Sequence, residues 1–432
     1  MKILNIIRKK PILKETMWLV AARVYSMAIG MITSIMLVRY LGPDRNGFYN
    51  YIGAYVALFS GFSIMGLDNI LIKEIAMNVR SNNDILSSNI IVRLLGSAFA
   101  FFLALVCLKI IGRDNILIYV CVYSILIFAS NTFSGITSWY YAHNNARFLS
   151  LSQVFSHTIR VALTQLCIWF NQGIMVFLIL NVFEAWLTTI IQWIAFFREK
   201  NHFSFQPSFD TCIHFIRQGF PIILGSIATT INFKIDQLMI GNILGDHELG
   251  IYSVAVRLAE LWYFIPVTIS TVLLPRLTVL KASKDEMSYK KTLQKYFSWL
   301  VLLAYGTGIV TVIFASPMIR LLFGKDYIAS VPIVSIYIWA GIFINLSVIR
   351  GSWYVIEEQT SYSLYCNVIG AIVNVLLNMI LIPAFGGIGA AYATFVSYLV
   401  YGYASSFIFK KLRPIGIMQT KALFLRGIRW EN

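Results

Sequence analysis

The chain has 432 residues, of which 58% are hydrophobic and only 12% are charged. About a quarter of the residues of a soluble globular domain are charged, so this composition excludes the ordinary soluble class. Apolar stretches recur that are long enough to cross about 30 Å of hydrocarbon as a helix. No alternating pattern of about ten residues recurs, which argues against an outer-membrane barrel. The composition therefore predicts an all-α integral membrane protein.

Taken in chain order, the apolar stretches predict twelve transmembrane helices. The first follows a basic N-terminal segment, contains Arg23 and lacks a small-x-small cleavage site, so we interpret it as a retained span and not as a signal peptide. Short connections rich in Gly, Pro, Asn and Asp, such as Gly42-Pro43-Asp44, separate many of the spans. The predicted spans are 16–38, 47–67, 90–111, 116–139, 148–170, 174–197, 220–244, 250–274, 296–315, 328–348, 362–382 and 388–409.

The basic residues are distributed unevenly across this map. With the N-terminus in the cytoplasm, 24 of the 35 Lys and Arg residues fall on the inner side and 6 on the outer side. The positive-inside rule then predicts a multi-pass membrane protein with both termini in the cytoplasm. The net charge of +16 is explained by cations at the anionic inner leaflet. Nucleic-acid binding is the rival explanation, and no compact basic domain supports it.

One short motif occurs twice at an offset of 203 residues. Leu41-Gly42 followed by Gly47-Phe48-Tyr49 returns as Leu244-Gly245 followed by Gly250-Ile251-Tyr252. Each copy lies on the outer turn between the first two spans of a six-span half. The motif predicts two pseudo-symmetric six-helix lobes, 1–205 (spans 1–6) and 206–410 (spans 7–12), around a central cavity. The alternative is that a short turn arose twice by chance. Residues 411–432 form a basic cytoplasmic tail, which we interpret either as a membrane-surface segment or as an unstructured anchor.

Eight ionisable residues lie inside the predicted spans. Each costs roughly 2.5–3.5 kcal/mol at the centre of a membrane helix, so we expect them to face the bundle interior or a wet cavity. Arg93 is the exception, because it lies near the inner end of its span and is expected to snorkel. Cations exceed anions in this set, which favours an anionic cargo, and guanidinium groups suit phosphate because they donate two parallel hydrogen bonds. The eight are Arg23, Arg93, Arg160, Glu184, Lys234, Asp236, Arg257 and Glu260.

Polar residues also recur at helical spacing on spans 5, 6 and 11. Hydrogen bonding between helices explains the Asn, Ser and Thr positions as well as a cavity lining does. His157 is interpreted as a satisfied core histidine in preference to a proton relay. We predict ion coupling or charge pairing by Glu184, Asp236 and Glu260. We predict substrate binding by Arg23, Arg160, Lys234, Arg257, Asn374, Asn378 and Gln153.

Cofactor and enzyme chemistry find little support in the sequence. The five cysteines lie far apart, without a CxxC pair or a Cys/His cluster, so neither a disulfide framework nor a metal site is predicted. No GxxxxGK[ST] motif is present for ATP hydrolysis. A membrane-embedded polymerase or glycosyltransferase would need a sizeable catalytic loop, which the span map lacks. We therefore expect a transporter and not an enzyme, and coupling to the membrane potential or to a proton or sodium gradient stays open.

Two segments, 39–75 and 231–276, resemble the polysaccharide flippase family (Wzx-type) of the multidrug, oligosaccharidyl-lipid and polysaccharide exporter superfamily. The resemblance depends on K-I-D-Q-L-M-I-G at 234–241, on LG…GIY and on R-L-A-E at 257–260. It implies a cargo, which is an O-antigen or capsular repeat unit on undecaprenyl diphosphate that moves from the cytoplasmic to the periplasmic leaflet. Asp236, Arg257 and Arg23 match charged sites of the family by position.

The resemblance also implies partners, and three alternative functions remain. The implied partners are the lipid-linked oligosaccharide and membrane lipids, together with a polysaccharide polymerase and a chain-length regulator of lipopolysaccharide or capsule biosynthesis. The first rival is a multidrug or organic-cation exporter, which predicts an acidic cavity. A lipid II-type flippase is chemically closer, but it usually carries extra spans. A membrane-embedded polymerase is the least favoured of the three.

Overall fold

The computed structural model describes residues 11–78, 80–199 and 203–427, except for the side chains of residues 11–17 and Val272. Helices and short turns make up these ranges, and no strand occurs within them. The predicted all-helical class is therefore confirmed.

The helices follow one another with few intervening residues. Short 3-10 turns at Asp114–Ile116, Leu261–Tyr263, Lys325–Tyr327, Ile338–Ala340 and Lys410–Leu412 and a π-helical turn at Val400–Ala404 join some of them. The α-helices are α1 (Pro11–Ile64), α2 (Asp68–Met77), α3 (Asn82–Ile111), α4 (Leu117–Phe133), α5 (Gly135–Ala142), α6 (Ala146–Trp169), α7 (Ile174–Arg198), α8 (Phe209–Ile243), α9 (Asp246–Glu260), α10 (Phe264–Ala282), α11 (Glu286–Leu322), α12 (Ser330–Tyr337), α13 (Gly341–Ile356), α14 (Ser361–Leu399), α15 (Ser405–Ile408) and α16 (Arg413–Leu423).

Within the described residues, eight helical segments are long and apolar enough to cross a membrane. Two of them are interrupted by a glycine with non-helical backbone angles. Trp18–Met77 is broken at Gly42 and covers the first two predicted spans, and Ser361–Ile408 is broken at Gly386 and covers the last two. Predicted spans 5 and 7 lie in α6 and α8, which carry polar and charged residues. The protein therefore crosses the membrane several times, and the count of twelve stays a prediction.

The chain divides into two compact units. Of the described residues, the first unit comprises those up to Tyr40 and those within Ile52–Ile227, and the second comprises Leu41–Tyr51 and those from Ala228 onwards. The first has a buried core of Leu, Ile and aromatic side chains that includes Leu71, Tyr140 and Phe215. The core of the second includes Phe297 and Tyr398. The predicted lobe boundaries stay predictions.

The two copies of the repeated motif adopt the same backbone conformation. Gly42 has φ 68° and ψ 173°, and Gly245 has φ 93° and ψ 178°, a combination that side chains disfavour and glycine permits. Both copies belong to the second unit, where they pack on each other. A Cβ on Gly47 would clash with the carbonyl oxygen of Asp246, and a Cβ on Gly250 would clash with that of Pro43. Because Pro43 and Asp246 are themselves 203 residues apart, the contact is reciprocal.

The described part of the basic tail is folded onto the second unit. Gln294 of α11 donates to the carbonyl oxygen of Met418 at 3.1 Å, and the Tyr305 hydroxyl donates to that of Leu423 at 3.0 Å. Gln419 is buried and donates to the carbonyl oxygen of Gly402 at 3.0 Å. The alternative of an unstructured anchor is therefore wrong up to residue 427, and residues 428–432 lie outside the described ranges.

Candidate transport site

Four polar side chains of the first unit form a charge cluster between α6 and α7. His157 and Arg160 are three residues apart on α6, and Asn181 and Glu184 are three apart on α7, so each pair shares a helix face. The Arg160 Nε atom lies 2.5 Å from Glu184 Oε2, and His157 Nδ1 lies 3.0 Å from Glu184 Oε1. Arg160 also donates to Asn181 Oδ1 at 3.3 Å. We call these four residues the α6–α7 cluster.

The α6–α7 cluster is partly accessible. The Arg160 and Glu184 side chains are 17% and 31% exposed. The Arg160 Nε atom that contacts Glu184 is itself buried, so an incoming anion binds there only in exchange for the Glu184 carboxylate. The carboxylate would remain within hydrogen-bonding distance of His157 after that exchange, since the two groups already lie together. Glu184 can therefore occupy Arg160 when no anionic ligand is bound there.

His157 differs from the expected satisfied core histidine. Its Nδ1 atom is bonded to Glu184, whereas its buried Nε2 atom has no hydrogen-bond partner within the described residues. Gly30 lies beside it, since a Cβ built on Gly30 would come 3.4 Å from Nε2. A buried ring nitrogen without a partner is energetically unfavourable and is uncommon outside functional sites. Sequence alone could not show this, because the lack of a partner is a property of the packing.

Asp236 of α8 is almost completely buried in the second unit. Its carboxylate accepts hydrogen bonds from the Tyr252 hydroxyl, from the backbone N–H of Gln237 at 2.7 Å and from Thr394 Oγ1 at 3.5 Å. These donors compensate part of the desolvation that a buried carboxylate suffers. Asp236 is thereby held in one position and connects α8 with α9 and α14.

Arg257 and Glu260 of α9 have polar partners on other helices of the second unit. Arg257 Nη2 donates to Asn50 Oδ1 at 3.3 Å, and Asn50 directly follows the first copy of the repeated motif. The Tyr337 hydroxyl donates to Glu260 Oε1 at 3.3 Å. Lys234 lies half-buried on α8. The second unit thus holds two cations and two carboxylates of the predicted set.

Asn374 and Asn378 are fully buried on α14. Asn378 Nδ2 donates to Asn374 Oδ1 at 3.0 Å, and Asn374 Nδ2 donates to Ser397 Oγ at 3.0 Å, on the far side of the Gly386 break. Of the two explanations, this arrangement fits hydrogen bonding between helical segments. The other predicted ligands, Arg23 and Gln153, have exposed side chains in the first unit.

The expectation that Arg93 snorkels is wrong. Its side chain is 0% exposed, and its guanidinium group lies 2.5 Å from Asp68 Oδ1, with a further hydrogen bond to Ser134 Oγ at 2.6 Å. The chain turns between α1 and α2, where Gly66 has a φ of 61°. Asp68 is the first residue of α2, so this turn places its carboxylate next to Arg93. No local sequence signal indicates this pairing, because the two residues are 25 positions apart.

The predicted spans place Arg350 in the cytoplasmic connection between spans 10 and 11. In the structure it is instead buried inside α13. Its guanidinium group donates to Ser405 Oγ at 2.9 Å, to Ser406 Oγ at 2.8 Å and to the carbonyl oxygen of Tyr401 at 2.5 Å. The Tyr401 carbonyl lies in the π-helical turn, where the ordinary helical pattern is interrupted. Arg350 was therefore one of the 24 basic residues counted on the inner side of the membrane, because it lies just beyond the predicted span 328–348.

Within the described residues, no group of three or more His, Cys, Asp or Glu side chains is arranged to hold a metal ion. Arg160 and Glu184 pair with each other, and Asp236, Arg257 and Glu260 have hydroxyl or amide partners. Such pairs, located within apolar helices, are typical of a membrane transporter that handles a polar cargo.

Comparison with solved structures shows which proteins share this fold. The fold is similar to that of an inward-facing multidrug resistance MATE family transporter of the MOP superfamily, with a TM-score of 0.73, 11% identity and coverage of 91% of this chain and 96% of that one. It is also similar to the lipid II flippase MurJ in an inward closed conformation, with a TM-score of 0.68, 16% identity and coverage of 94% and 90%. The chain thus shares its fold with these two proteins.

The family follows from the sequence comparison. The model of the polysaccharide biosynthesis protein family matches residues 12–281, and the MatE model matches residues 221–380. Because the first match covers more than half of the chain, the protein belongs to the polysaccharide biosynthesis protein family, and the resemblance inferred from the sequence is confirmed.

Two curated relatives carry informative names. The capsular polysaccharide biosynthesis protein CapF of Staphylococcus aureus is 20% identical over 92% of this chain and 99% of its own length. The probable low-salt glycan biosynthesis flippase Agl15 of Haloferax volcanii is 22% identical over 52% of this chain, a match that spans 49% of that relative. The names of these relatives and of the similar structures denote polysaccharide biosynthesis proteins, flippases and transporters.

Proposed function

We propose that the protein flips an oligosaccharide repeat unit of O-antigen or capsule type, linked to undecaprenyl diphosphate, across the bacterial inner membrane. Transport runs from the cytoplasmic to the periplasmic leaflet by alternating access, with both termini in the cytoplasm. Family membership and the names of the flippase relatives support this proposal. A polysaccharide polymerase and a chain-length regulator are the partners expected to receive and extend the product.

The observation that carries the proposal is the accessible ion pair of the α6–α7 cluster. A diphosphate that leaves water for a membrane protein must find donors in place of its hydration shell. Arg160 offers a planar guanidinium group, the kind of group that binds phosphate through two parallel hydrogen bonds, and the Glu184 carboxylate lies 2.5 Å from its Nε atom. Arg23, Lys234 and Arg257 supply the other cations of the predicted set.

The driving force is proposed to include the membrane potential. A headgroup with about two negative charges that leaves a negative-inside cell gains roughly 4–5 kcal/mol per 100 mV. Glu184, Asp236 and Glu260 are the carboxylates through which a proton or sodium ion would couple to transport. The Glu184 side chain is 31% exposed. It lies beside His157, whose Nε2 atom has no hydrogen-bond partner within the described residues.

Flipping assays in proteoliposomes test the proposal. Undecaprenyl diphosphate bearing a saccharide is placed in one leaflet, and its appearance in the other is followed by protection from an added glycosidase. We expect Arg160→Ala and Arg257→Ala to slow flipping by at least tenfold, whereas Arg320→Ala, at an exposed arginine near the end of α11, keeps the wild-type rate. Wild-type rates in both site variants would contradict the cationic-site model.

An exporter of organic cations is the second candidate function. The MatE match over residues 221–380 and the buried Asp236 carboxylate within that region favour it. Uptake of tetraphenylphosphonium into inverted vesicles distinguishes the two candidates, because the exporter requires transport of the cation that Asp236→Asn abolishes. A lipid II-type flippase is distinguished in the same proteoliposomes by replacing the cargo with lipid II.

A further inference from the structure

A polar pocket of about 420 Å³ lies in the first unit, outside the α6–α7 cluster. It is lined by side chains from α2, α5 and the short turn before α5. Six of the seven lining residues are polar and the seventh is Ile72: Asp68, Asn69, Ser134, Thr137, Ser138 and Tyr141. We call this the α2–α5 pocket. Its volume lies in the range of small-molecule binding sites, which is about 300–1,000 Å³.

Buried contacts fix the acidic group of the pocket. The fully buried Arg93 holds Asp68 Oδ1 at 2.5 Å, while the Asp68 side chain remains 58% exposed. Ser134 Oγ accepts from the same arginine at 2.6 Å. The arginine balances the charge of the carboxylate and orients it, so that Oδ2 remains as an acceptor at the pocket. Such a support is expected for a group that must hold a ligand in a defined position.

The remaining groups supply both donors and acceptors. Asn69 is exposed and carries an amide that can donate and accept, and Tyr141 adds a phenolic hydroxyl and a ring face. Thr137 is held by its hydrogen bond to Gln192 Oε1 at 2.7 Å. A carboxylate, an amide, hydroxyls and one aromatic ring together match the alternating hydroxyl groups and apolar faces of a sugar ring.

The same lining groups do not suit the diphosphate or the prenyl chain of the cargo. A diphosphate would be repelled by the exposed Asp68 carboxylate, whose counter-ion Arg93 is completely buried behind it. A prenyl chain would form no hydrogen bonds with the six polar residues of the lining. A neutral, polyhydroxylated ligand is the one that this lining satisfies.

We infer that the α2–α5 pocket binds a sugar of the cargo. The inference rests on the proposed flippase function and names a subsite for it. The carboxylate, amide and hydroxyl groups of the lining, together with the Tyr141 ring, carry it.

The test compares two probes on the purified full-length protein in nanodiscs. One is undecaprenyl diphosphate, and the other is the saccharide-bearing lipid isolated from cells that lack this transporter. Tyr141→Phe and Asn69→Ala each remove a pocket hydrogen-bonding group and leave the Asp68–Arg93 pair intact. Ile72→Phe narrows the pocket. Tyr392→Phe, at an exposed tyrosine of the second unit, is the matched control.

We expect Tyr141→Phe and Asn69→Ala each to weaken binding of the saccharide-bearing lipid by about three- to tenfold, the effect of one lost hydrogen bond. Ile72→Phe should weaken the same binding because it reduces the space for the ligand. Binding of undecaprenyl diphosphate should stay at the wild-type value in the same variants, and Tyr392→Phe should change neither. Equal effects on both probes, or none on the saccharide-bearing lipid, would overturn the inference. If the wild-type protein binds and flips neither probe, the proposed function itself fails, so the two failures are distinguishable.

Discussion

Replacing Glu184 by glutamine gives the sharpest test of how the α6–α7 cluster works. In the free protein the carboxylate occupies Arg160 at 2.5 Å, and an anionic headgroup must displace it before binding. The substituted amide would keep the size of the side chain and the hydrogen bond to His157, but it would lose the charge that competes for the guanidinium group. The Glu184→Gln variant should therefore bind undecaprenyl diphosphate more tightly than the wild type.

The expected gain follows from the exposure of the pair. Fully exposed ion pairs contribute about 0–1 kcal/mol, and breaking a fully buried one costs about 3–5 kcal/mol. With side chains 17% and 31% exposed, the Arg160–Glu184 pair lies between these limits. After allowance for solvent screening, we expect about 1–2 kcal/mol, which corresponds to roughly 5- to 30-fold in affinity. Flipping should nevertheless slow, since the variant has no carboxylate at this position to release the headgroup from Arg160.

Binding is measured by the intrinsic tryptophan fluorescence of the protein in nanodiscs, and flipping by glycosidase protection in proteoliposomes. Glu358→Gln, at an exposed carboxylate after α13, is the control for a simple change in net charge. The double variant Glu184→Gln/Arg160→Ala should lose the gain, because the gain depends on Arg160. Unchanged or weaker binding in Glu184→Gln would refute the idea that the carboxylate is an internal competitor.

Two further predictions concern stability and are measured by thermal unfolding in detergent. Arg350→Met removes three charge-assisted hydrogen bonds that join α13 to the π-helical turn and α15, so we expect a loss of about 2–4 kcal/mol and a clearly lower Tm. An unchanged Tm would show that these contacts contribute little. Gly250→Ala places a Cβ against the carbonyl oxygen of Pro43 and should cost about 1–3 kcal/mol. Gly53→Ala, on a helix position with no atom nearby, should be neutral, and equal effects of the two alanines would contradict the packing argument.

Much of the architecture could be predicted because a membrane constrains the sequence strongly. Backbone groups in hydrocarbon must be satisfied within the helix, so long apolar stretches such as 174–197 correspond closely to α7 (Ile174–Arg198). The repeat was also visible, because a glycine in the left-handed region leaves few alternatives at positions 42 and 245. Breaks inside helices were less visible: α4 and α5 divide at Ser134 within one predicted span.

The site was predicted less completely, for a physical reason. Hydropathy shows that a charge such as Arg160 or Arg93 lies inside a span, but it does not show which neighbour neutralises it. Arg93 pairs with Asp68 across a helix break, and Arg350 finds three uncharged oxygens, so neither partner follows from helical spacing. The α2–α5 pocket depends on α2 and α5 lying together, and no local pattern encodes that contact.

The repeated turn connects the fold of the second unit to its cations. The close approach of the two turns at Gly47 and Gly250 leaves no room for side chains, and it brings Asn46 Nδ2 to the carbonyl oxygen of Gly250 at 3.1 Å. One helical turn further on, Asn50 accepts from Arg257. An arginine predicted to bind phosphate, which lies on the helix of the second copy, is thus held by a residue that directly follows the first copy. The two glycines therefore support the position of Arg257 as well as the packing of the turns.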